Sequence, residues 1–354
     1  MFVLNDLLNL VIDNDASDLH LTVGSSPVIR VDGDLITTDL DVLTPMDTRS
    51  LIYSMLTSEQ QKDFEENLEL DLSYSVHGFG RFRVNVYKQR GCIGAAFRVI
   101  PSKIPSINEL NLPAKVEELA RLPKGLVLVT GPTGSGKSTT LASIIDIINT
   151  EKRCHIVTIE DPIEYLHYHK KSVINQRELG VDTYSFGEAL RHVLRQDPDV
   201  ILVGEMRDLE TVESALVLAE TGHLVLATLH TTDCPQTINR IVDIFPSHQQ
   251  QQVRTQLSFV IQAVVSQQLL PLASGKGRIP ATELLLTTSA VQNLIRESKV
   301  HQLYTVMQTS QNMGMRTFEQ SLVELYTRGS VTLEAAVSRT IYPDELKRML
   351  KQVQ

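Results

Sequence analysis

The chain has 354 residues, 42% hydrophobic and 21% charged, with 18 Gly and 14 Pro. That is material for about two folded domains, and it excludes wholesale disorder. The net charge of −9 argues against a dedicated nucleic-acid binder, whose affinity rests on phosphate neutralisation. No run approaches the roughly 18 apolar residues of a membrane span. The start, MFVLNDLLNLVIDND, has no basic opening and no small-residue cleavage site, so no secretory signal is expected. Cys92, Cys154 and Cys234 stand far apart and form no CxxC pair. Neither a structural zinc site nor an oxidising compartment follows, and the expected location is the cytoplasm.

Residues 1–100 read as an α+β domain. Leu4, Leu7, Leu8, Val11 and Ile12 form the stripe of a short amphipathic helix. Segments such as DLHLTV, PVIRVDG, RFRVNVY and IGAAFRVI alternate with period two and predict strands of a half-buried sheet. One helix is expected between them, over about 45–67. Charge is uneven here: residues 1–71 hold three basic and fifteen acidic side chains, whereas 72–103 hold six basic ones and no acid. Those cations either form a solvated face or meet phosphate or an acidic partner. PSKIPSINELNLP, with three prolines, reads as an interdomain linker over 101–113.

From residue 114 the pattern changes. Short apolar runs (GLVLVTG, HIVTIED, DVILVGE, HLVLATLH) alternate with helical segments, which predicts a parallel sheet buried on both faces. This core is expected to end near residue 270. Beyond about residue 250, QVRTQLSFVIQAVVSQQLL and AVQNLIRESKVHQLYTVMQ show helical apolar spacing. No further strand is expected there, and 271–354 should form a helical lobe.

The clearest motif is Gly131-Pro132-Thr133-Gly134-Ser135-Gly136-Lys137-Ser138, which fits GxxxxGK[ST] in full. It follows a predicted strand and opens a predicted helix, the context that this loop needs. Glycines let successive backbone N–H groups turn toward phosphate oxygens, and the helix N-terminus adds its positive end. Lys137 supplies a charge for the β/γ-phosphates, and the Ser138 hydroxyl is the candidate Mg²⁺ ligand. With Thr139 the segment is the expected ATP site. It does not say what the energy is used for.

Strand ends carry acids. Glu205 closes DVILVGE, at the carboxyl end, where ligands of a parallel sheet lie. There it can orient or deprotonate an attacking water. Glu160 and Asp161, with Glu164 after Pro162, close HIVTIED and are candidates to hold Mg²⁺ through its waters. A capping or solvation role is the plainer alternative for each. Asp199 starts its strand and is expected at the far end. His223 and His230 bracket HLVLATLH, roughly 23 Å apart at strand rise, so they cannot share one metal. His230 is expected near the phosphates and His223 away from them.

GPTGSGKSTT, TIEDPIEY, LRQDPDVILVGEMRD, ETGHLVLATLHT and AVQNLIRE together resemble the type II/IV secretion ATPase superfamily. Within it, the resemblance is strongest to the retraction motors of type IV pili. It runs from SDLHLTVG (17–24) through GRFRVNVYKQRG (80–91) to GMRTFEQSL (314–322). It implies a PAS-like N-terminal domain, a RecA-like ATPase domain and a homohexameric ring. It also implies an inner-membrane platform protein as partner, a paralogous motor as a further one, and a cytoplasmic position at the base of the pilus machine. Segment 160–164 matches the family's aspartate box, Glu205 its Walker B glutamate, and His223 and His230 its histidine box. By the same resemblance all six acids and histidines count as catalytic candidates. Arg81 and Arg83 match N-domain arginines that approach the nucleotide. The chain departs from the family at Val291 and Gln292, where the motif usually reads AIRNLIRE, and at Gln196, where it commonly has Glu. Extension and secretion motors usually carry an extra N-terminal domain and a four-cysteine zinc insertion, which this sequence lacks. An accessory retraction motor stays open as the alternative. A non-catalytic nucleotide-gated module would need a damaged catalytic acid, and Glu205 is intact. A small-molecule P-loop kinase leaves the flanking segments without a role. A DNA translocase is disfavoured by the charge.

Overall fold

The computed structural model describes residues 2–31, 33–76, 80–101 and 103–353. They fall into two units, Met1–Lys103 and Ile104–Gln354. Among the described residues no helix is long and apolar enough to cross a membrane.

The first unit begins with α1 (Leu4–Asp13), β1 (Asp18–Leu21), β2 (Val28–Val31) and β3 (Asp34–Thr37). It continues through α2 (Pro45–Tyr53), α3 (Ser58–Asn67), β4 (Glu69–Val76), β5 (Gly80–Gln89) and β6 (Cys92–Ile100). The six strands form one sheet in the order β3-β2-β1-β6-β5-β4, antiparallel throughout. Leu4, Leu7, Leu8 and Val11 of α1, Leu51 and Ile52 of α2 and Phe64 of α3 pack against Leu19, Phe82, Val84 and Phe97 of the sheet. This is the expected α+β unit, with its helices on one face. The single helix expected over 45–67 is two. Thr57 accepts from the Gln60 backbone N–H and Gln60 reaches back to Thr57, a capping box that starts a new helix after a turn.

The acid-free stretch runs along β5 and β6. Part of it meets the acids of the preceding segment: Arg98 Nε donates to Asp18 at 2.8 Å, and Lys88 lies 3.4 Å from Glu65. Arg81 and Arg83 alternate with buried Phe82 and Val84, so both stand on the face away from the helices.

The second unit opens with α4 (Ala114–Leu119), β7 (Gly125–Thr130), α5 (Lys137–Glu151), β8 (His155–Glu160), β9 (Val173–Glu178) and α6 (Phe186–Val193). Next come β10 (Val200–Val203), α7 (Leu209–Glu220), β11 (Leu224–Leu229), α8 (Cys234–Asp243), α9 (Gln250–Val260), β12 (Ile261–Pro271) and β13 (Arg278–Leu286). It closes with α10 (Ser289–Arg296), α11 (Leu303–Thr309), α12 (Phe318–Thr327), α13 (Leu333–Val337) and α14 (Pro343–Val353). The sheet order is β13-β12-β7-β11-β10-β8-β9, with every pair parallel except β12–β13. One core, centred on α6 to α9, covers one face. A second, holding α4 and α5, covers the other. This is the doubly covered parallel sheet that the apolar runs required.

Two expectations are corrected. The strands do not stop at residue 250. The apolar stretch splits at Val260 into α9 and the strand β12, which lies between β7 and β13. A strand buried on both faces loses its alternation, so a short apolar run has no period to distinguish it from a helix. β-branched Ile261, Val264 and Val265 suit the pleated surface. Pro280 is tolerated because β13 is the edge strand. The helical part therefore begins at Ser289, not at 271. The tract 101–113 is also not a free linker: Ile107 and Leu112 are buried in the α5-side core, and Ser143 Oγ donates to the Pro105 carbonyl at 2.7 Å.

β13 turns Glu283 toward the start of α8, 3% exposed, where Oε1 accepts from the Cys234 N–H at 2.7 Å. Burial pushes its carboxyl up to about 7 from the usual 4.5. Between those values the folded state holds a proton that the unfolded chain has released, so raising pH through this window favours unfolding. Glu283→Gln keeps the acceptor and removes the titration. Its melting temperature should gain on the parent as pH rises from about 5 to about 8. Parallel curves across that range would contradict the burial argument.

Candidate functional site

The site sits beyond the carboxyl ends of β7, β8, β10 and β11. A cavity of about 470 Å³ is lined there by Thr133 to Thr139, Glu160, Asp161, Glu164, Glu205 and His230, and its wall includes Phe186, Thr228, Leu269 and Arg278. The loop leaves β7 at Gly131 and enters α5 at Lys137. Gly131 has φ 143°, and a Cβ there would stand 2.2 Å from the Gln267 carbonyl oxygen, so only glycine fits. Gly136, the residue before the helix, has φ 89°, again a glycine conformation. Ser135 Oγ is buried and makes no hydrogen bond to the described residues. An orphaned hydroxyl in a glycine cradle suits a bound phosphate oxygen. Lys137 Nζ donates to the carbonyls of Gly131 at 2.9 Å and Pro132 at 3.2 Å. Burial holds its ammonium below the usual lysine range, while Glu205 and Glu164 pull it back up.

Glu205 lies just after β10 and is gripped from two sides. Arg207 Nη2 is 2.7 Å from Oε2, and His230 Nε2 is 3.0 Å from Oε1. Burial alone would raise this carboxyl, but Arg207 and His230 outweigh it, and the group stays below the usual carboxylate range. Glu160 is treated differently. Burial pushes it up to about 7, against hydrogen bonds from Thr158, Gln176 and the Glu164 backbone. Thr158 Oγ1 donates to Glu160 Oε1 at 2.6 Å. Gln176 Nε2 reaches the same oxygen at 3.2 Å and the Tyr165 carbonyl at 2.9 Å. Tyr165 OH is 3.0 Å from Thr139 Oγ1, so these contacts join the β8 acids to the first turn of α5.

The structure thus gathers the loop residues, Glu160, Asp161, Glu164, Glu205 and His230 into one cavity. It does not bring His223 there. His223 precedes β11 at its amino end, with Nδ1 2.9 Å from the Leu218 carbonyl and 3.1 Å from Thr221 Oγ1. Seven residues along an extended strand separate the two histidines, and within this unit His223 caps the turn after α7. Asp199, as expected, lies at the far end, where it accepts from the His155 N–H at 2.8 Å. Arg81 and Arg83 belong to the first unit. Sequence reasoning missed Arg207, Gln176, Gln267, Leu269 and Arg278. Arg207 had a signal, a cation two residues past the strand-end acid. The others sit in segments with no motif.

A glycine loop between a parallel strand and a helix, faced by acids on neighbouring strand ends, defines a P-loop nucleoside triphosphatase. Residues 2–275 match the family described as Type II/IV secretion system protein. The chain is 49% identical over 341 residues to the type IV pilus retraction ATPase PilT of Pseudomonas aeruginosa strain PAO1, covering 96% of this chain and 99% of that one. It is 43% identical over 345 residues to the type IV pilus ATPase PilU of the same organism, covering 98% and 90%. Among solved structures it is similar to the pilus retraction motor PilT with bound ADP, at a TM-score of 0.93 and 53% identity, over 99% of this chain and 100% of that one. The chain belongs to the type II/IV secretion ATPase family.

Proposed function

We propose that this chain is an Mg²⁺-dependent ATP hydrolase that works as a homohexameric motor and powers retraction of a type IV pilus. The observation that supports this best is the joining of a complete phosphate loop to a clamped, ionised Glu205 in a chain nearly half identical to PilT end to end. In this reading Lys137 gives up its two loop carbonyls for the β- and γ-phosphates. The loop N–H groups hold the phosphate oxygens, and Ser138 offers a hydroxyl oxygen to the ion. Among the described residues no three His, Cys, Asp or Glu side chains gather as a metal site. That suits an ion that arrives with phosphates and keeps its waters, helped by Asp161, Glu160 and Glu164. Mg²⁺ would supply charge neutralisation at the transferring phosphoryl group. Glu205 orients and deprotonates the attacking water, with Arg207 and His230 fixing its two oxygens.

The motor would act in the cytoplasm at the inner-membrane base of the pilus machine, against a platform protein and beside a paralogous motor. The 43% identity to PilU favours an accessory retraction motor as the second reading. A deletion strain scored for surface pili and twitching tests both. Excess, non-retracting pili are expected. Absent pili would indicate an extension motor, and retraction lost only when a paralogue is also deleted would indicate the accessory role.

Arg81 and Arg83 are assigned to a nucleotide held by an ATPase domain of the ring. An arginine delivered to such a transition state is worth up to about 10³–10⁵ in rate. Arg81→Ala should therefore lower ATPase activity of the assembled ring while monomer nucleotide binding and the melting temperature hold. A lowered melting temperature with normal turnover would make the arginine a structural part of its sheet.

A further inference from the structure

The β12–β13 hairpin supplies a wall of the nucleotide cavity through Leu269 and Arg278, and one buried residue of β12 touches the phosphate loop twice. Gln267 is 2% exposed. Its Nε2 donates to the Ser135 carbonyl at 2.8 Å. Its Oε1 accepts from the Thr140 hydroxyl at 2.9 Å. Its own backbone carbonyl stands where any Cβ on Gly131 would be. The amide orientation follows from chemistry: a carbonyl only accepts, so the NH₂ end must face Ser135, and the Thr140 hydroxyl donates to the other end.

A trans peptide points its C=O and the following N–H in opposite directions. A Ser135 carbonyl held by Gln267 therefore fixes the Gly136 N–H on the opposite side of that peptide, and Gly136 lines the cavity. Gly136 itself has no side chain to resist rotation of this peptide, and its φ of 89° lies in a region that glycine enters and leaves freely. The loop's own hydrogen bonds hold the neighbouring groups, Ser135 N–H to the Pro132 carbonyl and Thr140 N–H to the Gly136 carbonyl, and the buried amide on a central strand adds a fixed partner for the Ser135 carbonyl.

We infer that Gln267 is a positioning residue for the phosphate loop: its carboxamide holds the Ser135–Gly136 peptide in the anion-binding orientation before nucleotide arrives. This rests on the phosphate-binding reading of the loop given above. The effect is on binding in the ground state and the transition state alike, so KM should move and kcat should not.

The test uses the full chain, with ADP as the probe for equilibrium binding and MgATP for turnover. Gln267→Met keeps length and volume but neither hydrogen bond. Its affinity for ADP and its KM for ATP should both weaken about tenfold, the scale of a lost buried hydrogen bond with its partner stranded, while kcat stays within about threefold. Gln267→Glu keeps the acceptor for Thr140 but lacks the donor for Ser135, and it should weaken ADP binding at least as much. Thr140→Val removes only the helix-side contact and should change ADP affinity less than about threefold. A folded Gln267→Met protein that binds ADP like the parent overturns the inference. So does Thr140→Val weakening ADP binding as much as Gln267→Met, because the helix contact would then be what matters. If Gln267→Met does not fold, Gln267→Glu decides on the same criterion. Failure of both to fold overturns the inference too, by assigning Gln267 to the fold alone. A parent chain that fails to bind ADP would instead sink the loop assignment, and this inference with it.

Discussion

Lys137→Ala should abolish measurable ATP hydrolysis and leave the melting temperature near that of the parent. The ammonium is half-buried at the mouth of the loop and is held by two backbone carbonyls, Gly131 and Pro132. Those carbonyls lose a donor in the variant, but no core volume is removed, so folding should lose little. Catalysis loses the one mobile positive charge in the glycine loop. Burial already weakens this ammonium's hold on its proton, with Glu205 and Glu164 partly restoring it. Removing a single preorganised donor to a developing oxyanion costs about 10²–10³ in rate, and a full charge facing two phosphates should cost at least that. A steady-state Mg-ATPase assay beside a thermal melt checks both halves. Retained turnover would remove the loop from the catalytic site.

Glu205→Gln should bind ATP and hydrolyse it about 10²–10⁴-fold more slowly, the usual cost of losing a general base. The substitution keeps the shape of the side chain. It also replaces with an NH₂ one of the two oxygens that Arg207 and His230 approach, and since a guanidinium only donates, the Arg207 contact survives only where the amide oxygen faces it. The pH dependence carries an independent sign. The Glu205 carboxyl is held below its usual range by Arg207 and His230, so the base is ionised above that lowered value. Activity should fall on the acid side only as pH drops through it. If turnover in the Gln variant stays within a few-fold of the parent, another group positions the water.

The parts of the site that were readable in the sequence are those whose chemistry is local. The loop is eight consecutive residues, and its glycines are dictated by backbone angles within those eight. Glu160, Asp161 and Glu205 were placed correctly at the carboxyl ends of their strands, because a run of four to six apolar residues followed by an acid locates both the strand and its end. His223 is the instructive case: the motif names it together with His230, but an extended strand carries the two to opposite ends, and only His230 reaches Glu205. The helix expected over 45–67 failed on a single capping box, since Thr57 and Gln60 gain more by starting a helix than by continuing one.

Hydrophobic period and glycine backbone preference act over a few residues, so the loop, the core strands β7, β8, β10 and β11 and the acids that end β8 and β10 were legible in the chain, whereas β9 and the break between α2 and α3 were not. The strands Ile261–Pro271 and Arg278–Leu286, the packing of 104–112 as core, and the grip of Gln267, Arg207 and Gln176 on the loop and the acids arise from contacts between segments distant in the chain. A strand buried on both faces has no alternation to read. A hydrogen bond from Gln267 to a carbonyl 132 residues away in sequence leaves no pattern in either segment. Such contacts exist only once the sheet has set β12 beside β7.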